Sequence, residues 1–130
     1  MKRILFIFIS CFIFLSCQEK KEEQGSEMSP QLSKVWGLHD EIMPRMGEIR
    51  SLKDQLTTLE DSLGTATEIV EAQDQLNAAK KDMNRWMTSF DLSKKEDTAY
   101  MDEQLIQLNK MKELFESSIT NAEKIIANHK

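Results

Sequence analysis

The stretch that decides the fold covers residues 35–63 and reads VWGLHDEIMPRMGEIRSLKDQLTTLEDSL. An apolar residue recurs in it at alternating steps of three and four, and only Arg45 interrupts the pattern. This spacing places one narrow apolar stripe along a helix of about 40 Å, at 1.5 Å per residue. Because such a stripe cannot be buried against itself, it predicts further helices that cover it. The stripe consists of Val35, Leu38, Ile42, Ile49, Leu52, Leu56, Leu59 and Leu63.

The helical domain is predicted to cover residues 30–130, with helices at about 30–63, 66–90 and 94–127. Ser29 followed by Pro30 is typical of a helix start, and Gly64 is typical of a helix end. Ser93 is expected to cap the third helix. Pro44 lies inside the first helix and predicts a bend in a continuous helix, since proline has no backbone N–H to donate.

The second and third predicted helices carry apolar faces of their own. Short turns between long helices make neighbouring helices antiparallel. The predicted fold class is therefore all-α, an up-down-up antiparallel three-helix bundle with coiled-coil-like helices. A helical hairpin with a loosely attached third helix, or a dimeric coiled coil, is the alternative. The two faces consist of Ile69, Ala72, Leu76, Ala79, Met83, Trp86 and Phe90, and of Met101, Leu105, Leu108, Met111, Phe115, Ile119, Ala122 and Ile126.

The first 16 residues have the pattern of a secretory signal peptide. Lys2 and Arg3 precede a twelve-residue, mainly apolar run at positions 4–15. A membrane-spanning helix needs about 20 apolar residues, whereas the apolar part of a signal peptide needs only about 7–15. Residues 1–16 are therefore predicted to be removed from the mature protein.

Cys17 ends the sequence Phe14-Leu15-Ser16-Cys17, which resembles the lipobox of bacterial lipoproteins. The resemblance implies that Cys17 is lipidated and becomes the first residue of a membrane-anchored protein. Three acyl chains, palmitate among them, give firm attachment, because a single chain holds only marginally. Cys11 is the poorer position, since cleavage there leaves apolar residues 12–15 at the new terminus. A mature chain starting at Cys17 has no second cysteine and hence no internal disulfide.

Residues 17–29 comprise the lipidated cysteine and a polar segment that is predicted to be a flexible tether. Within it, residues 18–23 read QEKKEE and resemble the export signal of surface-exposed lipoproteins of Bacteroidota. Gln18 beside the cysteine resembles lipoproteins sorted to the outer membrane. The predicted location is the bacterial outer membrane, with periplasmic-facing and surface-exposed display both open.

The charge of the mature chain argues against nucleic acid as a partner. Without Lys2 and Arg3 the chain has 15 basic and 22 acidic residues, a formal net charge of −7. Binding to a phosphate backbone depends on clustered positive charge. The expected partners are the membrane, through Cys17, and another protein.

A second apolar stripe on the first helix marks the candidate site, and it consists of Trp36, His39, Met43 and Met46. In an antiparallel pairing about Gly64, Met43 is predicted to lie opposite Trp86, Met46 opposite Met83, and His39 near Phe90 and Met87. Three interpretations follow: core packing by adaptable methionines, a surface for a protein or apolar ligand, or a soft-metal site. Cu(I) prefers thioether and imidazole ligands, and it is the one cofactor that these residue types indicate. The metal hypothesis involves His39, Met43, Met46, Met83, Trp86 and Met87.

An enzyme is not predicted. The acid pairs Asp40-Glu41 and Glu60-Asp61 are typical of solvated helix surface, and His129 adjoins the chain end. The sequence has no glycine-rich phosphate loop, and no serine has an evident histidine partner. No catalytic residue is therefore proposed.

Two segments resemble a group of small helical lipoproteins of Bacteroidota that are often labelled "viral A-type inclusion protein". They are HDEIMPRMG at residues 39–47 and WMTSF at residues 86–90. The resemblance implies the fold and the location, and no activity or binding residue. The predicted function is a non-enzymatic, membrane-anchored envelope lipoprotein whose bundle binds another protein. The alternative is a lipoprotein that binds or handles copper.

Overall fold

The computed structural model describes residues 28–129, which form four α-helices and one short 3-10 turn. The predicted signal peptide, Cys17 and nearly all of the tether lie outside the described residues. Helices α1 and α2 together take the place of the first predicted helix, so the all-α three-helix bundle is confirmed. The helices are α1 (Pro30–Ile42), α2 (Arg45–Leu63), α3 (Thr67–Ser89) and α4 (Thr98–Asn128), and the 3-10 turn is Leu92–Lys94.

Polar contacts between the helices show the up-down-up order. Lys112 Nζ of α4 donates to Glu41 Oε1 of α1 at 2.6 Å, and Arg45 at the start of α2 pairs with Glu116 one turn further along α4. Helices α1 and α2 therefore run in the same direction as α4. Asn121 of α4 donates to Gln75 of α3 at 3.0 Å, near the end of α4 and the start of α3. Helix α3 therefore runs antiparallel to α4.

The predicted apolar stripes form the core. Helix α4 has 31 residues, about 46 Å at 1.5 Å per residue, and contacts α1, α2 and α3. Within the stripe that decides the fold, Leu38 and Leu59 are half-buried, while Leu63 at its end is 58% exposed. The fully or almost fully buried members are Val35, Ile42, Ile49, Leu52 and Leu56.

The first predicted helix is interrupted at Pro44, which corrects the expectation of one continuous bent helix. Met43 and Pro44 keep helical backbone angles, but α1 ends at Ile42 and α2 begins at Arg45. Pro44 has no N–H to donate, and the following N–H groups reach back only three residues, to Met43 O at 3.1 Å and Pro44 O at 3.2 Å. Because the angles stay helical, the apolar stripe continues in phase across the break.

Two of the predicted helix ends are confirmed. The Ser29 hydroxyl accepts a hydrogen bond from Leu32 N–H at 3.2 Å, with Pro30 in the first helical position. Gly64 ends α2 with φ 86° and ψ 169°, a conformation that only glycine adopts without strain.

The start of the last helix differs from the prediction. Helix α4 begins at Thr98 instead of residue 94, because Asp97 supplies the cap and accepts from Tyr100 N–H at 3.1 Å. Ser93 belongs to the 3-10 turn, where its hydroxyl donates to Asp91 at 2.6 Å. The connection between α3 and α4 is therefore longer than the sequence indicated.

None of the helices within residues 28–129 has both the length and the apolar character needed to cross a bilayer.

Replacing Gly37 by alanine is expected to raise the free energy of unfolding by about 1 kcal/mol. Gly37 lies inside α1, and a Cβ added there meets no atom within 4 Å, so the gain in helix propensity is not offset by a clash. Gly64→Ala is the matched control, and it is expected to lower stability by about 1–3 kcal/mol because φ is positive there. Urea denaturation followed by circular dichroism measures both changes. If the two variants changed the free energy of unfolding in the same direction, this explanation would be contradicted.

Candidate functional site

Five rings meet at the end of the bundle where α1 begins, α3 ends and α4 begins. The Trp86 ring lies 5.0 Å from the Phe90 ring and 6.4 Å from the Trp36 ring. Phe90 in turn lies 5.5 Å from Trp36 and 6.0 Å from Tyr100. Contacts of this kind add about 0.5–1.5 kcal/mol each beyond the area that they bury. These residues and His39 are called the aromatic cluster below.

His39 is the one member of the aromatic cluster with a buried polar atom that has no hydrogen-bond partner. Its ring lies 5.2 Å from the Trp36 ring and 5.6 Å from the Trp86 ring, and its side chain is 12% exposed. Nδ1 lies 2.9 Å from Asp40 Oδ1, whereas Nε2 is buried and has no hydrogen-bond partner. If Nδ1 carries the proton and donates to Asp40, Nε2 presents a lone pair to the interior.

Two further polar contacts fix the aromatic cluster, one between α3 and α4 and one between α4 and the connection that follows α3. Trp86 Nε1–H donates to Gln104 Oε1 at 2.8 Å, and both residues are buried. The Tyr100 hydroxyl accepts from the Asp91 N–H at 2.7 Å. Sequence reasoning missed both Gln104 and Tyr100. The available signal for Gln104 was its position three residues after Met101 and four before Leu108, a polar residue on the apolar face of α4.

The proposed metal ligands do not share one environment. Met83 is fully buried, Met43 and Met46 are half-buried against the core, and Met87 is 47% exposed. The structure brings His39 and Trp86 together, whereas the predicted pairing put His39 near Phe90 and Met87. On α3, the observed neighbour Trp86 lies about one helical turn before the expected neighbour Phe90.

The proposed interaction stripe is largely occupied by the chain itself. Trp36, Met43 and Met46 are half-buried and pack against the core, and Trp36 also contacts two rings of α3. His39 is half-buried beside them. Only part of the stripe's surface is therefore free to meet a partner.

A shallow apolar groove lies between α2 and α4 at the opposite end of the bundle. Leu59 of α2 and Ile126 of α4 form its apolar part, and the exposed Leu63 follows one turn after Leu59. Glu123 lines the adjoining part of the same inter-helix surface. We call it the distal groove, and its lining is Gln55, Thr58, Leu59, Ser62 and Ile126.

Residues 28–129 contain no group of three or more His, Cys, Asp or Glu side chains that could hold a metal ion. A Cu(I) site built on thioethers needs no such group, because methionine sulfur and a single imidazole are suitable ligands. No protein-family model, curated protein or solved structure matches the chain.

Replacing Gln104 by leucine is expected to lower the free energy of unfolding by about 1–3 kcal/mol, because the buried Trp86 Nε1–H then has no acceptor. In a Trp86→Phe protein the indole donor is absent from the start. Gln104→Leu is therefore expected to lower the free energy of unfolding of that protein by less than it does in the unchanged protein. A double-mutant cycle by urea denaturation measures the difference. Equal losses in both backgrounds would show that this hydrogen bond does not stabilise the bundle.

Proposed function

We propose that the protein is a non-enzymatic lipoprotein of the bacterial outer membrane, anchored through Cys17, whose helical bundle binds another protein. The anchor is supported by the sequence alone: the basic start, the apolar run at positions 4–15 and the lipobox-like Phe14-Leu15-Ser16-Cys17. Cell fractionation and mass spectrometry of the amino-terminal peptide test this part.

The observation that carries the binding proposal is the distal groove. Leu63 is 58% exposed beside a furrow that already contains Leu59 and Ile126, so an apolar surface continues from the groove to the solvent. A groove between two parallel helices fits the apolar side of a third helix. Glu123 nearby and the −7 charge of the mature chain favour a partner helix with basic flanks.

A photoreactive amino acid at position 63 is expected to give one discrete cross-linked product in intact cells. The matched control is the same amino acid at position 106, since Ile106 is 57% exposed but lies on α4 outside the distal groove. A product at position 63 that is absent at position 106 supports the proposal. Equal patterns at the two positions, or no discrete product at either, would contradict it.

A substitution gives a second measurement of the same surface. Leu63→Asp is expected to weaken recovery of the cross-linked partner from solubilised envelope about tenfold, because an apolar contact is lost and a carboxylate would have to be buried against the apolar side of the partner helix. Ile106→Asp is expected to leave recovery unchanged. Both positions are exposed, so neither change removes a core contact.

A copper-handling role is the second candidate, and His39 Nε2 is the observation that favours it. This buried nitrogen has no partner, while a carboxylate holds the other ring nitrogen. A carboxylate on the far nitrogen is the usual support of a metal-binding histidine. The half-buried thioethers of Met43 and Met46 stand four and seven residues further along, and the Trp86 ring next to His39 offers a cation-π contact.

Anaerobic titration with Cu(I) tests this candidate. Replacing His39 by alanine, and Met43 and Met46 by leucine, is expected to weaken Cu(I) binding at least tenfold, since imidazole and thioether ligands are lost together. Met28→Leu is the control, because Met28 is exposed at the amino-terminal end of the described chain and outside the proposed ligand set. Equal affinities of the triple variant and the unchanged chain would exclude copper at this site.

A further inference from the structure

The end of the bundle where the chain enters α1 carries an exposed apolar patch. Met28 is 52% exposed and Leu92 is 55% exposed, and both line one shallow pocket together with Leu32 and Trp36. Ser29, Lys95 and Glu96 complete the lining. We call the surface formed by Met28, Leu92 and their neighbours the basal patch.

The 3-10 turn that presents Leu92 is fixed to the rest of the bundle. The Asp91 N–H before it donates to the Tyr100 hydroxyl, and the Ser29 hydroxyl donates to the carbonyl of Lys95 at 3.4 Å. Asp91 Oδ1 accepts from the hydroxyl and the N–H of Ser93, and these bonds lower the pKa of Asp91 below its usual value. Leu92 is therefore held outward by contacts on both sides of the turn.

The length of chain before Met28 sets how far the basal patch can lie from a lipid anchor. Eleven positions separate Cys17 from Met28, counting Cys17 itself. Eleven residues span at most about 40 Å, whatever conformation they adopt. The basal patch is at the end to which this segment connects, whereas the distal groove is near the other end of the roughly 46 Å α4.

We propose that the basal patch docks on the surface of the membrane that holds the Cys17 anchor, with Met28 and Leu92 entering the headgroup region. This inference rests on the proposed lipid anchor. Tethering makes the contact intramolecular, so it needs less apolar burial than binding of the free bundle to the same membrane would. Trp36 and Tyr100 nearby belong to the residue types enriched at membrane interfaces.

The charged residues around the basal patch distinguish between apolar burial and electrostatic attraction as the force that would hold it on the membrane. Lys94 and Lys95 stand beside Asp91, Glu96 and Asp97, so cations do not outnumber carboxylates there. Lys94 Nζ also lies 5.1 Å from the centre of the Tyr100 ring, within cation-π distance. The docking is therefore driven by apolar burial, and it does not depend on anionic lipid.

Three nearly equally exposed positions allow a matched experiment. Leu92, Ile106 and Leu63 are 55%, 57% and 58% exposed, and each is replaced by cysteine in a separate full-length lipoprotein. The lipidated Cys17 thiol is blocked, so a polarity-sensitive fluorophore labels only the new cysteine. The proteins are reconstituted into vesicles of phosphatidylethanolamine with a minor fraction of phosphatidylglycerol, with and without nitroxide-labelled lipid.

The probe at position 92 is expected to shift its emission to the blue and to be quenched by nitroxide lipid several-fold more than the probes at 106 and 63. The same result is expected in vesicles of phosphatidylcholine alone, a zwitterionic lipid that forms stable bilayers and carries no net charge. Equal quenching at the three positions in protein that floats with the vesicles would overturn the docking. A signal that requires phosphatidylglycerol would also overturn it, since the contact would then be electrostatic.

Failure of the anchor is recognised separately. Protein that lacks acyl chains does not float with the vesicles, and its free Cys17 thiol takes up a second fluorophore; this result contradicts the lipoprotein proposal and the docking together. Protection of position 92 in the cell envelope but not in pure vesicles would assign the basal patch to a protein instead of lipid. Thermal melts of the three variants check that each bundle remains folded.

Discussion

The apolar face of α4 is the surface on which every other helix of the described chain depends. Phe115, Ile119 and Leu108 have almost no exposure, and α4 contacts both halves of the broken first helix as well as α3. Complete burial of a side chain of this size contributes about 1.5–3 kcal/mol. A helix of 31 residues needs partners of matching length, which α1 and α2 supply only because they stay in line across Pro44. The break is therefore tolerated as long as it leaves the apolar stripe in phase.

Within the aromatic cluster, some polar atoms have hydrogen-bond partners and one buried polar atom has none. Trp86 Nε1–H finds Gln104, and the Tyr100 hydroxyl finds the backbone of Asp91, so both rings are fixed in orientation. His39 Nε2 instead stays buried without a partner, which costs about 1–3 kcal/mol in a protein interior. Native proteins tend to leave buried polar groups without hydrogen-bond partners at functional sites. This contrast makes His39 the side chain in the cluster for which packing alone is an incomplete explanation.

The two ends of the bundle suit different neighbours. The basal end has Met28 just before α1, next to the connection toward Cys17, and Leu92 on the 3-10 turn, whereas the distal end has Leu63 beside a groove between parallel helices. If the basal end rests on lipid, the long axis of the bundle carries the distal groove tens of ångströms into the aqueous space. A protein partner could then reach the groove without competing with the membrane. The two proposals are therefore compatible in space, and each depends on different side chains.

The sequence by itself determined the class of the fold, because the spacing of apolar residues on each helix is a local property. The buried positions of α3, from Ile69 to Trp86, agree with the predicted stripe, and Ser29 and Gly64 end their helices as expected. The first helix divides at Pro44 because a missing N–H changes bonding over a few residues, and a periodicity spanning 29 residues does not record that. Helix α4 begins at Thr98 and not at the predicted residue 94, because Asp97 and not Ser93 caps it.

Only the tertiary structure decided which side chains meet across helices. The pairing of His39 with Trp86 and the burial of Gln104 depend on how helices cross and rotate, and a turn position such as Gly64 fixes that only to within about one helical turn. For the same reason the sequence presented residues 36–46 as one site. The packed bundle places most of that stripe against its own core and leaves Leu63 and Leu92 exposed at opposite ends.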